Sequence, residues 1–515
     1  MSIPVFKEYF QHQSLLLPPN LEELIAPNHP VRVVDSVING IDIKPLLHKY
    51  KGGGTSSYHP AMLLKVTVYC YLINIYSSRK MEAAIKENIH LMWLAAMNKP
   101  DHHTLNRFRG ERLKDVLKDI FVQVVSLLAE QGLVSLKEAF VDGTKIEANA
   151  GRYTFVWGNS IKTNKEKIGK QLSELWQYAL DMASEEMEDP EPPDFNEIDK
   201  EKVKQTIEKI SAVLREKSVS KKVKDKLNYG AKHWPEAVEK YEAQEKILAG
   251  RKSYCKTDTD ATFMRMKEDH MKNGQLKPAY NFQVSSNNQY IVDYSIHQTT
   301  ADTTTLQSHL NQHRTLYGHY PEVVIADAGY GSEQNYQYLA NNNIEGYVKY
   351  NYFDKDQSSN YLSKHPFSVE NLYYNAEKDC YYCPMGQPMK NIGCFTKTTA
   401  TGFKQQITSY QAVNCQGCPL NGACHKSKGN RIIDVNHNLV AYKKQVREQL
   451  NSERGIYYRK RRPVDVEPVF ANIKHNHGFR RFMLRGINKV NIETGLLAIA
   501  HNLRKKASHI TRKAA

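Results

Sequence analysis

Three acidic residues stand where the surrounding pattern can turn a carboxylate into a catalyst. Ala139-Phe140-Val141 is a short apolar run with β-branched and aromatic members, which predicts a buried strand that delivers Asp142 at its end. Glu322-Val323-Val324-Ile325-Ala326 predicts a second buried strand, ending on Asp327. Carboxylates at the carboxyl ends of neighbouring strands can converge in a crevice. The third acid is Glu467, in Val466-Glu467-Pro468-Val469-Phe470-Ala471-Asn472-Ile473-Lys474. With Asp465 as cap and Pro468 in the first turn, Glu467 is expected near a helix N-terminus, with Phe470 and Lys474 on its face.

Such a trio suits two hard divalent cations, Mg²⁺ or Mn²⁺, about 3.5–4 Å apart, which activate a water or a 3′ hydroxyl on one side of a phosphorus and stabilise the leaving oxygen on the other. Without metal, three clustered acids would repel one another. Taken singly, each has a plain structural reading: Asp142-Gly143 is a common hairpin dipeptide, and an acid is favourable at a helix start. Only the joint pattern points to chemistry.

A second set of candidate ligands is the cysteines. Cys380 and Cys383, then Cys415 and Cys418, have the paired spacing of a structural Zn²⁺ site, with Cys424 following five residues on. In a reducing compartment unliganded thiols are the alternative, and disulfides are not expected. Cys70 falls in an apolar helix and reads as core, while Cys255 and Cys394 have no pattern around them.

The charge balance suits a polyanionic partner. Lys and Arg number 71 against 55 Asp and Glu, a net charge of +16. Nucleic acid is the leading candidate and anionic membrane the second. Between Arg454 and Lys489, ten Lys or Arg stand against two acids, and Arg459 to Arg462 and Arg480-Arg481 flank Glu467. That density beside a metal site is what a phosphodiester substrate requires. The basic residues Arg504-Lys505-Lys506 and Arg512-Lys513 read as a solvated tail. No secretory signal is visible at the N-terminus, and Ala61 to Tyr76 is too short and too polar to cross a bilayer.

The elements that must position these groups follow from periodicity and punctuation. Residues 1–130 read as a helical DNA-binding or dimerisation domain. In it His59-Pro60 opens a strongly apolar helix, and Pro100-Asp101 caps another, whose Arg107 and Arg109 are candidate phosphate contacts. Residues 131–160 hold the first core strand. Residues 161–255 alternate Lys and Glu around apolar positions at helical spacing, interrupted by Glu188-Asp189-Pro190-Glu191-Pro192-Pro193-Asp194, which predicts a helical hairpin with an exposed acidic tip. Residues 256–354 resume the sheet: strands over 280–285 and 290–297, a helix over 303–316, the Asp327 strand, a helix over 332–341 and a strand over 345–350. Residues 355–430 form the Cys-rich insertion and 431–515 the catalytic helix and basic end. The order of strands and helices is that of a ribonuclease H core, an α/β fold with a mixed sheet.

At this point the chain resembles a known family. From Asn28-His29-Pro30-Val31-Arg32 through Tyr58-His59-Pro60, Tyr76-Ser77-Ser78-Arg79-Lys80, Pro100-Asp101-His102-His103-Thr104, Val141-Asp142-Gly143-Thr144-Lys145, Ala326-Asp327-Ala328-Gly329-Tyr330 and Arg462-Pro463-Val464-Asp465-Val466-Glu467-Pro468-Val469-Phe470, it is similar to the DDE transposases of bacterial insertion sequences, in particular the family numbered eleven eighty-two. The resemblance implies that Asp142, Asp327 and Glu467 bind the metal ions. It maps the family's Tyr, Arg, Glu, Lys signature onto Tyr458, Arg462, Glu467 and Lys474, with Lys474 at a transposon-end phosphate. Four residues separate Arg462 from Glu467 where the commonest form has three. The family's Tyr-x-Cys-Pro-x-Gly pattern, here Tyr381 to Gly386, favours Cys383, Cys415, Cys418 and Cys424 for zinc, with Cys380 as the alternative.

The expected activity is therefore that of a transposase, acting on double-stranded DNA in the bacterial cytoplasm at the nucleoid. It would bind the inverted ends of its element, cut phosphodiester bonds and join 3′ ends to target DNA, with a homodimer pairing the two ends. A ribonuclease H-like nuclease that cuts without joining, or a non-catalytic DNA-binding regulator, is the competing reading.

Overall fold

The computed structural model of the chain describes residues 20–50, 57–183, 193–215, 217–266 and 275–514. Its N-terminal part is helical: α1 (Pro30–Asn39), α2 (Lys44–Leu47), α3 (Pro60–Leu72), α4 (Ser78–Glu87), α5 (Ile89–Leu94), α6 (His102–Arg107) and α7 (Leu117–Glu130). Two of these begin with the same device. His29 and His59 each accept, through ring Nδ1, the N–H of the second helical residue at 3.2 Å, while Pro30 and Pro60 fill the first position, where no N–H is needed. Asp101 caps α6 by accepting from Thr104 N–H at 2.8 Å, as the sequence predicts. Helix α3 is buried on nearly every side. It shares one continuous core with α7, one face of the sheet and the C-terminal helix, so the N-terminal helices and the sheet pack as a single body.

The central sheet is assembled from distant segments. Strand β1 (Glu138–Glu147) is followed by β2 (Phe155–Trp157), three long helices α8 (Gly158–Ala183), α9 (Lys200–Leu214) and α10 (Lys221–Leu248), then β3 (Ser253–Cys255), β4 (Thr262–Arg265), β5 (Leu276–Asn287), β6 (Tyr290–His297), α11 (Leu306–Tyr317), β7 (Val323–Ala326), α12 (Glu333–Asn341) and β8 (Glu345–Val348). The six-stranded sheet runs β4-β5-β1-β7-β8, with β6 also on β5. β1, β7 and β8 are parallel to one another and β5 is antiparallel to β1, which makes a mixed sheet consistent with a ribonuclease H-like core. Strands β5 and β6 are joined by a two-residue turn, Asn288-Gln289, with φ of 51° and 63°, the left-handed pair that matches hairpin twist.

Three expectations need correction here. Asp142 does not end its strand but lies in the middle of ten residues, because β5 pairs with β1 from Phe140 through Glu147 and carries it past Gly143. Gly143 is not a turn residue either. A Cβ there would overlap the side chain of Gln283 and come within 2.9 Å of Asp302 Oδ1, so close approach explains the glycine. The insertion is three helices with their own core around Trp176, Ile207, Ile210, Trp234 and Val238, not a hairpin. Within its acidic stretch, residues 188–192 lie outside the described residues.

Beyond β8 come α13 (Phe353–Asp356), α14 (Ser359–Lys364), β9 (Tyr374–Asn375), β10 (Cys380–Tyr382), β11 (Pro388–Thr398), β12 (Lys404–Ala412) and β13 (Ile432–Val435), then α15 (His437–Asn451), α16 (Glu453–Ala471) and α17 (Ile487–Ala514). The five strands β13-β12-β11-β10-β9 form an antiparallel sheet. It is tied to the six-stranded sheet through Glu333 of α12, which is buried and accepts from Gln405 Nε2 at 2.9 Å and Asn436 Nδ2 at 2.6 Å.

Helix α16 differs from expectation. Glu467 lies in the second half of a 19-residue helix that runs through both Pro463 and Pro468, and Asp465 does not cap it. Asp465 is buried, accepting from Ser286 Oγ and Asn288 N at 2.8 Å and from Gln289 N at 3.1 Å. Those bonds clamp the helix onto the β5–β6 turn, and burial of Val466 and Val469 against the core offsets the backbone bonds the prolines remove. The basic end is likewise no loose tail: Arg504 to Arg512 ride on a 28-residue helix packed against α3 and β6.

Candidate active site

The parallel ladder between β1 and β7 ends at Val141 opposite Ala326, and the next residue on each strand is an aspartate. That register sets Asp142 and Asp327 side by side. Alternation along β1 turns Phe140 and Asp142 toward α16, where the Tyr458 ring stands 6.3 Å from Phe140 and Arg461 lies over its face. One turn of helix further, Arg462 Nη2 lies 3.0 Å from Asp142 Oδ2 and 3.8 Å from Asp327 Oδ2. Backbone donors fix the other carboxylate oxygens: Gly143 N–H donates to Asp142 Oδ1 at 2.7 Å and Gly329 N–H to Asp327 Oδ1 at 2.9 Å.

A third carboxylate, Asp302, lies beside these two, and no strand or spacing pattern pointed to it. Asp302 lies in a threonine-rich stretch before α11, where it reads as an ordinary turn or cap residue. Its Oδ1 accepts from Asn281 Nδ2 at 2.7 Å and Gln283 Nε2 at 3.0 Å. Gln283 in turn accepts a short hydrogen bond from the hydroxyl of Tyr330. Burial raises the Tyr330 phenol well above its usual range, and Asp302, Asp142 and Asp327 push the same way while Arg462 opposes them. The phenol is thus a fixed neutral donor, and the field it reports is that of three nearby carboxylates.

Glu467 is exposed on α16, five residues beyond Arg462. Among the described residues, no three His, Cys, Asp or Glu side chains are already arranged as a metal-holding group. Asp142 and Asp327 nonetheless pass a test of fit for a cation. They are two fixed oxygen donors converging on a single positive charge, the Arg462 guanidinium.

The basic candidates divide by burial. Arg480 and Arg481 are exposed, the first bonded to the Lys474 carbonyl at 3.2 Å and the second to the Ala148 and Ala150 carbonyls at 3.1 and 3.0 Å. Arg107 is exposed beside Glu111 at 3.3 Å, and Arg459 is half-buried over the Phe353 ring. Arg461 pairs with Glu138 at 2.9 Å and also donates to Asn288 Oδ1. Tyr458 is buried, its hydroxyl donating to Glu138 Oε1 at 2.8 Å, and Lys474 is buried at 6% exposure. Arg109, expected at a phosphate, is corrected to an interior residue. At 2% exposure it donates to the Tyr71 hydroxyl and the Tyr76 carbonyl, beside the buried Glu493 that joins α17 to α3. A guanidinium so enclosed holds helices together and has no face left for DNA.

The cysteines gather in part. Cys383, Cys415, Cys418 and Cys424 line one small cavity of about 20 Å³ together with His425, whereas Cys380 is buried outside it in β10. Arg431 donates to two of the sulfurs, from Nη1 to Cys424 at 3.0 Å and from its backbone N–H to Cys415 at 3.4 Å. His425 was not a sequence candidate. Its Nδ1 is bonded to Ser427 Oγ, leaving Nε2 buried without a partner.

Two family models match the chain: one described as Transposase DDE domain over residues 382–507, the other as Transposase domain (DUF772) over residues 19–111. The first stretch contains Glu467 and the cysteine cavity, and neither contains Asp142 or Asp327. No curated protein and no solved structure matches. No helix among the described residues is long and apolar enough to cross a membrane.

Proposed function

We propose, for a chain that belongs to the DDE transposases of insertion sequences, that Asp142, Asp327 and Glu467 hold two Mg²⁺ or Mn²⁺ ions, and that the protein binds the inverted ends of its own element, cleaves their phosphodiester bonds and joins the 3′ ends to target DNA. The observation that carries this reading is the register of β1 on β7, which brings Asp142 and Asp327 together on one cation. The family numbered eleven eighty-two remains the specific assignment within this reading.

When bound, the divalent ions would supply an activated water or 3′ hydroxyl and charge stabilisation for the leaving oxygen. The chain's own residues do the rest. Gly143 and Gly329 N–H hold one oxygen of each aspartate, so the second oxygen of each faces the site. Arg462 neutralises the pair in the resting protein and has a scissile phosphate as its alternative partner, since a guanidinium binds carboxylate and phosphate with the same fork. Glu467, exposed on α16, would supply the third carboxylate to the ions. Arg480 and Arg481 offer exposed charge along the DNA backbone.

Cys383, Cys415, Cys418 and Cys424 are proposed to hold a structural Zn²⁺, and two protomers are proposed to pair the two ends. The experiment that tests the function supplies pre-cleaved element ends, target plasmid and Mg²⁺. Joined product is expected; cleavage of intact ends without joining would make the protein a nuclease, and binding without either would make it a regulator.

A further inference from the structure

The C-terminal helix α17 lines a groove of about 520 Å³ with Arg504, Lys505 and Arg512, faced by Gln289 of the β5–β6 turn and by His477 beyond α16. No Asp or Glu is among the described residues that line it. The cations have neutral partners: Arg504 Nη2 donates to Asn74 Oδ1 at 2.8 Å and Lys505 Nζ to Gln289 Oε1 at 3.0 Å. Burial lowers the pKa of both, and the Asp465 carboxylate near Lys505 and the Tyr76 phenol near Arg504 oppose that shift without reversing it.

The helix C-terminus accounts for Arg512, two residues before its end, but not for Arg504 and Lys505. The attraction of cations to a helix C-terminus fades within the last turn, yet Arg504 lies more than two turns before Ala514. From Arg504 to Arg512 the cations span about 12 Å of helix, a length that meets several phosphates of a duplex. The groove also reaches the helix that carries part of the candidate active site. Asn288 and Gln289, which form its wall, donate their backbone N–H groups to Asp465 on α16, the helix that carries Arg462 and Glu467.

We infer that this groove is a second DNA contact, which holds the phosphate backbone of the element's end duplex away from the scissile bond. The inference rests on the transposase reading and deepens it. Duplex DNA is favoured over a membrane surface because the charge lies in a recess continuous with the catalytic helix, where a flat bilayer does not reach.

The test is fluorescence anisotropy of the full chain with the element's terminal duplex over a range of salt concentrations. It compares wild type with Lys505→Gln/Arg512→Gln and with the triple variant that adds Arg504→Gln. Each phosphate that a variant no longer neutralises makes the slope of log K against log salt shallower by about 0.9. The double variant is expected to be shallower by about 2 in slope and the triple variant by close to 3, with affinity at least about tenfold weaker. Because Arg504 touches the N-terminal helices, thermal melts accompany each variant, and the double variant decides the matter should the triple fail to fold. An unchanged slope beside a wild type that binds overturns the inference, as does loss of binding to RNA or to anionic phosphatidylserine vesicles with DNA binding intact. A wild type that binds no duplex overturns the transposase reading itself.

Discussion

Arg462 lies 3.0 Å from Asp142 and 3.8 Å from Asp327, so the two carboxylates that the family resemblance assigns to metal are bridged by the protein's own cation. The arrangement resolves the repulsion that two adjacent acids would otherwise suffer. It also makes the guanidinium a competitor for whatever positive charge the site takes up.

Replacing that guanidinium should therefore strengthen metal binding in the absence of DNA. For Arg462→Gln, calorimetric titration with Mn²⁺ is expected to show affinity about tenfold tighter than wild type, the equivalent of a modest screened charge interaction. The same variant is expected to bind end DNA more weakly. Unchanged or weaker Mn²⁺ binding would mean that Arg462 does not compete for the site.

Asp465 should matter for stability. Its buried carboxylate accepts three hydrogen bonds from Ser286, Asn288 and Gln289, and Asp465→Ala strands those donors beneath α16. Urea unfolding is expected to show a loss of about 2–4 kcal/mol. A loss below about 0.5 kcal/mol, the scale of an ordinary surface substitution, would show that the clamp contributes little.

The cysteine cavity predicts a zinc stoichiometry near one per chain by elemental analysis. Cys383→Ser, Cys415→Ser, Cys418→Ser and Cys424→Ser should each lower zinc content and melting temperature, while Cys380→Ser, outside the cavity, should retain the metal. Retention of zinc by the first four, or its absence from the wild type, would remove the site. His425→Ala separates a fourth thiolate from an imidazole as the completing ligand.

Acid should destabilise the fold through its buried histidines. Burial pulls His309, His313 and His501 each down to about 4 from the ordinary 6.5. Above pH 6.5 all are neutral in both states and make no difference. As pH falls from 6.5 toward 4 the unfolded chain takes up protons that the folded one refuses, so stability declines. Melting temperature is expected to drop across that window. His313→Phe, which replaces a ring whose two nitrogens are buried and unpartnered, should reduce the drop. A flat profile between pH 7 and 5 would contradict the assignment.

Much of this architecture was legible because it rests on local signals. Buried β-branched runs announce β1 and β7, proline and aspartate punctuate the N-terminal helices, and Asn288-Gln289 falls between the strands expected over 280–285 and 290–297. What escaped was set by partners far along the chain. The continuation of β1 past Asp142 depends on β5, more than a hundred residues later, and the burial of Arg109 depends on Glu493 near the other end of the chain. Asp302 gave no signal, since an acid in a threonine-rich turn looks like any cap. Asp465 followed by Pro468 argued for a helix start, and only the Asp465 clamp and the packing of Val466 and Val469 show why the helix runs on through Pro463 and Pro468.

The most direct measurement of the central claim is Mg²⁺-dependent nicking of the element's terminal duplex, with binding followed in parallel, for wild type, Asp142→Asn, Asp327→Asn and Glu467→Gln. The account predicts nicking by wild type and a loss of at least about a thousandfold, some 4 kcal/mol of barrier, in each variant while binding is retained. Nicking that persists in Asp142→Asn or Asp327→Asn would contradict it, because the carboxylates placed side by side by the β1–β7 register would then not be the ones that do the chemistry.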